Sequence, residues 1–202
     1  MSKVIGAVHE RLVFDRRTNA LARHLAALLP SGTALDIGCG DGTIDTLICG
    51  LRQDISISGV DILVRSNAKI PVTRFNGSEL PFADKSFDAA LFVDVLHHTS
   101  DPNVLLREAA RVSRTAIIIK DHTADSALSY PILRLMDWVG NAHHGVVLPY
   151  NYWSSSQWRL AFERLGLRIV EWHTSNLGLY ARPFDRLFER RLHMICRLQQ
   201  AD

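Results

Sequence analysis

The stretch Ala34-Leu35-Asp36-Ile37-Gly38-Cys39-Gly40-Asp41-Gly42 constrains this chain more than any other. A short apolar run ends in three alternating glycines and passes into Thr43–Cys49, which reads as a helix with Gly50 as its stop. Glycines let the main chain turn tightly and leave no side chain between it and a bound molecule. The helix that follows offers free amides at its N-terminus. A strand, a glycine turn and a helix in this order suit a ligand held at the carboxyl edge of a parallel sheet.

The rest of the pattern agrees with such a sheet. Leucines at 21, 25, 28 and 29 make a helical stripe over Thr18–Leu29, closed by Pro30. Strands are predicted at Thr33–Ile37, Ile55–Val60, Pro71–Phe75, Phe87–Val93 and Ala116–Ile119, the fourth almost wholly apolar as a strand covered on both faces should be. Asp101-Pro102 supplies an N-cap and an N1 proline for a helix to about Arg111. Ser129–Val139 reads as an amphipathic helix, and Ser154–Gln157 as a capping box for a helix stopped by Gly166. Further strands are predicted at Leu167–Thr174 and Leu192–Leu198. The expected fold is α/β: one Rossmann-like domain with an open, mostly parallel sheet of about seven strands. Helices cover both faces, and a helical insertion follows the fifth strand. The expected organisation is a helical segment over 1–30, a ligand-binding core over 31–122, and substrate-side helices and final strands over 123–202.

Bulk properties narrow the function. The 202 residues are 47% hydrophobic, enough for one substantial core. A net charge of +2 gives no field that would argue for nucleic acid. Arg11, Arg16 and Arg17 read as a solvated basic face. Cys39, Cys49 and Cys196 are too far apart for zinc-ligand spacing, and their odd number argues against a disulfide framework. No apolar stretch approaches the length of a membrane span, so a soluble, cytoplasmic protein is expected, with no stable membrane insertion.

The carboxylates around the glycine turn select the ligand. Asp36 lies two residues before Gly38, where an anion suits a cationic ligand end and would sit poorly beside a pyrophosphate. Asp61 ends the second strand, where a carboxylate can accept from ribose hydroxyls. The dinucleotide fingerprint G-x-G-x-x-G would need a glycine where Thr43 stands. The ligand is therefore read as a nucleoside joined to an amino acid. An NAD(P)-dependent oxidoreductase stays as an alternative.

The block from Ala34 to Gly42 resembles motif I of the class I S-adenosylmethionine-dependent methyltransferases. A second block, Leu80-Pro81-Phe82-Ala83-Asp84-Lys85-Ser86-Phe87-Asp88 followed by Val93-Asp94-Val95-Leu96-His97-His98, resembles the fourth-strand segment of the small-molecule branch that includes ubiquinone, menaquinone and sterol methyltransferases. The similarity covers about Ala34 to Lys120. It implies S-adenosylmethionine as cofactor, with Asp36, Gly38, Cys39 and Gly40 along the methionine part. It places Asp61 at the ribose hydroxyls and Ile62 on the adenine. Asn76, where the family usually has Asp, and Gly77 would stand beside the adenine amino group. Val93 and Asp94 would approach the sulfonium, with His98 close by. The family's helix between the second and third strands is trimmed here, with room between Asp61 and Val72 for two turns at most.

Acceptor-side residues are less marked. His97, His98 and His122 are candidate general bases, since imidazole titrates near neutrality. Asp121 and His122, after the fifth strand, and Tyr150 and Tyr152, before the capped helix, are candidate substrate contacts. Leu128–Trp153 is rich in leucine, valine and aromatics, which points to a small apolar or aromatic acceptor methylated on oxygen or carbon. No metal is expected, because the His143-His144 pair has no partner carboxylate at ligand spacing. Cys39 is read as packed rather than redox-active. A non-catalytic cofactor binder, acting as sensor or partner subunit, is the remaining alternative.

Overall fold

A seven-stranded sheet organises the chain in the computed structural model, which describes residues 2–141, 149–189 and 191–201. The strands are β1 (Gly32–Ile37), β2 (Ile55–Asp61), β3 (Val72–Arg74), β4 (Phe87–Val93), β5 (Ser113–His122), β6 (Leu167–His173) and β7 (His193–Gln200). Their spatial order is β3-β2-β1-β4-β5-β7-β6. β7 runs antiparallel to both its neighbours, and the other pairings are parallel. Strand order reverses between β1 and β4, so the carboxyl ends of these two strands flank the crevice where open α/β sheets bind ligands.

Period-two alternation divides the core between two faces. Ala89 and Leu91 of β4 and Ala116 and Ile118 of β5 pack with Leu21, Leu25 and Leu28 of α1 (Ser2–Leu28) and Ile48 of α2 (Thr43–Leu51). Their neighbours Ala90, Phe92, Ile117 and Ile119 face the other way. There they meet Leu105, Leu106 and Ala109 of α3 (Pro102–Val112) and Trp158 and Phe162 of α5 (Ser155–Arg164). A smaller cluster of Leu133, Tyr152 and Leu192 lies under α4 (Ser129–Asn141), the insertion expected after β5.

The caps act as anticipated. Asp101 accepts from the Asn103 amide, and Ser154 and Gln157 form the reciprocal capping box of α5. α2 differs: it runs through Gly50 to Leu51, since Gly50 has open space around it and nothing forces a stop. A short helix α6 (Asp185–Phe188) and a 3₁₀ turn over Leu96–His98 had no signal in the sequence pattern.

No helix joins β2 to β3. Residues 62–71 instead fold back onto the glycine turn: the Lys69 amide donates to the Asp41 carbonyl, and the Lys69 ammonium donates to Thr43 Oγ1. Ile62, Leu63 and Val64 are left exposed.

Candidate functional site

The glycine turn is shaped by what lies behind it. Gly38 has φ +81°, and a Cβ there would come within 2.7 Å of the Val95 side chain, so only glycine lets β1 and the segment after β4 approach this closely. Gly40 has φ +61°, but its nearest neighbour would be the Arg65 guanidinium at 3.9 Å. The space on that side is open toward the crevice. Cys39 packs on Gly59 of β2, and burial pushes its thiol well above the usual range, so it has no thiolate character. Asp61 orders the turn from across the sheet: Oδ2 accepts from the Gly40 amide at 2.9 Å, and Oδ1 from the Leu63 amide at 2.9 Å.

Asp36, 3% exposed at the end of β1, has Oδ1 without a hydrogen-bond partner among the described residues. Asp45, from the first turn of α2, is 1% exposed; its carboxyl oxygens likewise meet no donor among the described residues, and the two acids lie close enough to share one proton. Burial, and then the charge of Asp45, hold Asp36 well above the ordinary carboxylate range. Burial pushes Asp45 up to about 6. A cationic ligand end beside this pair would stabilise its ionised form. An orphaned buried oxygen, an open glycine cradle and a strand-end carboxylate fit a nucleoside carrying an ammonium group. They fit a pyrophosphate poorly.

Asn76 is placed differently from its expected role. Its Oδ1 accepts from the Ser78 amide, the Ser78 hydroxyl and the Glu79 amide, so the oxygen orders its own loop. Gly77 lies against Ile62, bringing the two residues expected at the adenine together.

At the ends of β4 and β5 a polar cluster forms. Val93 packs into the α1 face of the core. Asp94 takes a left-handed φ of +57°, sparsely populated for a residue with Cβ, as strained functional positions often are. Its carboxylate meets the ammonium of Lys120, which is fully buried in β5, and the Arg17 guanidinium of α1 at 2.5 Å. Burial opposes its ionisation, but Lys120 and Arg17 outweigh that and hold Asp94 well below its usual value. Burial lowers Lys120 to about 8. Arg17 is therefore an inward-facing partner, not part of a solvated basic patch.

Asp121 corrects the expectation of a substrate contact. It is 0% exposed, and its carboxylate accepts from the Leu96 amide, the His122 amide and His97 Nδ1, the last at 2.7 Å. It positions the turn after β4, and its full burial leaves no oxygen exposed to a ligand at the surface. His122 is also enclosed: Nδ1 meets the Leu192 carbonyl, Nε2 lies 3.5 Å from Asp94, and burial keeps the ring neutral. His97 is 1% exposed. Burial opposes its charge, but Asp121 and then Asp137 raise it to about 10, so it is a poor general base.

His98 differs from both. It is partly exposed, its ring lies 3.9 Å from that of His97, and burial followed by the His97 charge lowers its pKa. It is the histidine of the three that is both reachable and neutral near pH 7. Tyr152 donates to Asp137 at 2.5 Å, and Tyr150 lies under the Arg134 guanidinium. Asn151 ties this aromatic segment to the turn, its amide donating to the His97 carbonyl.

The sequence brings Asp36, Gly38, Gly40, Asp61, Asp94 and His98 to one sheet edge, as expected. Nothing in the pattern marked Arg17 or Asp45 as joining them. Lys120 and Asp137 interrupt otherwise apolar stretches, a signal that a buried charge needs a partner. His143 and His144 lie outside the described residues. A surface groove of about 490 Å³ between α1 and Leu177-Gly178 shares no lining residue with this edge.

Comparison with known proteins agrees with the geometry. The methyltransferase domain family matches residues 10–172. Over 206 residues the chain is 30% identical to the O-methyltransferase cnsE of Penicillium expansum, covering 94% of this chain and 67% of that protein. It is 30% identical over 121 residues to the 27-O-demethylrifamycin SV methyltransferase of Amycolatopsis mediterranei, covering 52% of this chain and 44% of the relative. The chain spans about half the length of the first curated relatives it matches. The fold is also that of an S-adenosylmethionine-dependent methyltransferase from Mesorhizobium loti, with a TM-score of 0.65 at 19% identity over 88% of this chain and 96% of the other.

Proposed function

This chain belongs to the class I S-adenosylmethionine-dependent methyltransferases, and on that footing we propose that it methylates a hydroxyl of a small apolar or aromatic acceptor. The observation that carries the cofactor half is the glycine turn itself, ordered by Asp61 and backed by the unpartnered Asp36 oxygen. The bound cofactor supplies an activated methyl group. Asp36 would face its ammonium end, the Gly38–Gly40 main chain its methionine part, and Asp61 its ribose. Ile62 and Gly77 would flank the adenine.

For an in-line displacement the protein must align nucleophile and methyl and keep water away. Tyr150, Tyr152 and the apolar side of α4 support an aromatic acceptor, and the O-methyltransferases among the relatives favour oxygen over carbon. A hydroxyl acceptor must lose a proton, and His98 is suited to hold it: neutral near pH 7 and partly open. Asp94, neutralised by Lys120 and Arg17, would shape the pocket more than contribute charge. Residues 1–30, 31–122 and 123–202 would act as cover, cofactor core and acceptor side of one domain. No described helix is long and apolar enough to cross a membrane, and a cytoplasmic site of action is proposed.

The first test is calorimetric titration with S-adenosylhomocysteine, with NADH as control. Micromolar binding that Asp61→Ala removes is the expected result. Binding of NADH instead would return the chain to the oxidoreductase class. Methyl transfer from labelled cofactor to any phenol or aliphatic alcohol in a small panel separates an enzyme from a silent cofactor binder.

A further inference from the structure

We propose that His97, His98 and Asp137 form a site for one divalent transition-metal ion of the zinc class. Their donor atoms lie within 4.8 Å of one another. Ligands at about 2.0–2.2 Å from a tetrahedral ion stand roughly 3.4 Å apart, so small side-chain movements close the site.

The surroundings match what a ligating histidine needs. The Nδ1 of His97 is bonded to Asp121, which is fixed in turn by two main-chain amides. A carboxylate on one ring nitrogen sets the tautomer and aims the other nitrogen at a metal. That other atom, His97 Nε2, is buried and has no hydrogen-bond partner among the described residues, although an Asp137 oxygen stands 3.4 Å away. His98 Nδ1 is also buried with no hydrogen-bond partner among the described residues. Two adjacent residues usually diverge, but the 3₁₀ turn over Leu96–His98 keeps their ring centroids 3.9 Å apart, tilted by 49°. Asp137 approaches from α4, its carboxylate steadied by the Tyr152 hydroxyl.

Imidazole and carboxylate donors suit zinc, cobalt or nickel better than magnesium or calcium. A second grouping, Asp94 with His97 and His122, also has the donors, but Lys120 and Arg17 already occupy Asp94. Three protein ligands leave a fourth coordination position for water. The metal would tie α4 to the turn after β4 whether or not the cofactor is present, and an ion held there would occupy the His98 ring, so a loaded site and His98 as general base exclude one another.

The test is a cobalt(II) titration of the cofactor-free protein, read by visible d–d absorption and competed with zinc. His143→Ala/His144→Ala serves as background, which removes the other histidine pair. One equivalent should bind at about micromolar affinity or tighter, and His98→Ala and Asp137→Ala should each lose about 100-fold or more. Asp121→Asn should weaken binding roughly 10–100-fold by releasing the His97 ring. Circular dichroism checks that each variant is folded, and His98, partly exposed and outside the apolar core clusters, gives a variant that leaves those clusters intact. Absence of a cobalt spectrum in folded protein overturns the site. So does full binding in both His98→Ala and Asp137→Ala, which would leave His97 as an ion bridge between two aspartates.

Discussion

Gly38 and Gly40 share a left-handed backbone, yet the structure assigns them different tasks. Substituting Gly38 with Ala drives a methyl group into Val95, and the chain should lose about 2 kcal/mol or more of stability along with ligand binding. Gly40→Ala has room in the protein itself, so it should cost only the strain of its φ, about 1 kcal/mol. Its cost should fall on S-adenosylhomocysteine affinity instead. Thermal melts and calorimetry on the pair distinguish the roles, and equal melting points would refute the assignment. Asp45 adds a pH signature. Its folded pKa of about 6 lies above the unfolded value near 3.9, so the folded chain holds the extra proton between them. Stability from this group is present in acid and lost as pH rises through 6, by on the order of 2–3 kcal/mol. Asp45→Asn cannot ionise, and its amide can donate toward Asp36. Denaturant midpoints should show the variant more stable than the parent at pH 8, with the gap shrinking toward pH 4. A gap independent of pH would show that Asp45 is not the titrating group.

Elements were legible where their signals are local. The capping box of α5, the Asp101 cap of α3 and the continuous apolar runs of β4 and β5 need only a few adjacent residues, and all stand as read. Ser154→Ala should therefore cost about 1 kcal/mol in chemical denaturation with no change in ligand affinity. The 3₁₀ turn of His97 was hidden because its cause is the distant carboxylate of Asp121, 24 residues away. Arg17 was misread for the same reason: its partner Asp94 lies 77 residues on, and a basic run looks alike whether or not one member turns inward. Gly50 misled because a glycine stops a helix only when the chain needs to leave it, and α2 does not yet need to. The cofactor end of the site was readable from the glycine spacing and the two strand-end aspartates. The acceptor end was not, because α1, the turn after β4, α4 and the segment around Tyr152 each contribute only one or two side chains.

At the scale of the molecule, the sheet gathers contributions from both faces at one edge. α1 sends Arg17 over from one side, α4 and the aromatic segment bring Asp137 and Tyr152, and β1, β2, β4 and β5 end there. The floor is made of largely buried strands, while the rim between β2 and β3 is a loop with Ile62, Leu63 and Val64 facing outward. That uncovered rim has a practical consequence. A purine seated on Ile62 keeps its outer edge accessible, so it should tolerate a long substituent on the exocyclic amine. A resin bearing S-adenosylhomocysteine tethered through that nitrogen should retain this chain, and free S-adenosylhomocysteine should release it. Retention only by a resin tethered at the amino-acid end would mean that residues 62–71 close over the base. A successful N6-linked resin would serve as a purification handle and as bait for the missing acceptor, since the tether leaves the other end of the crevice open.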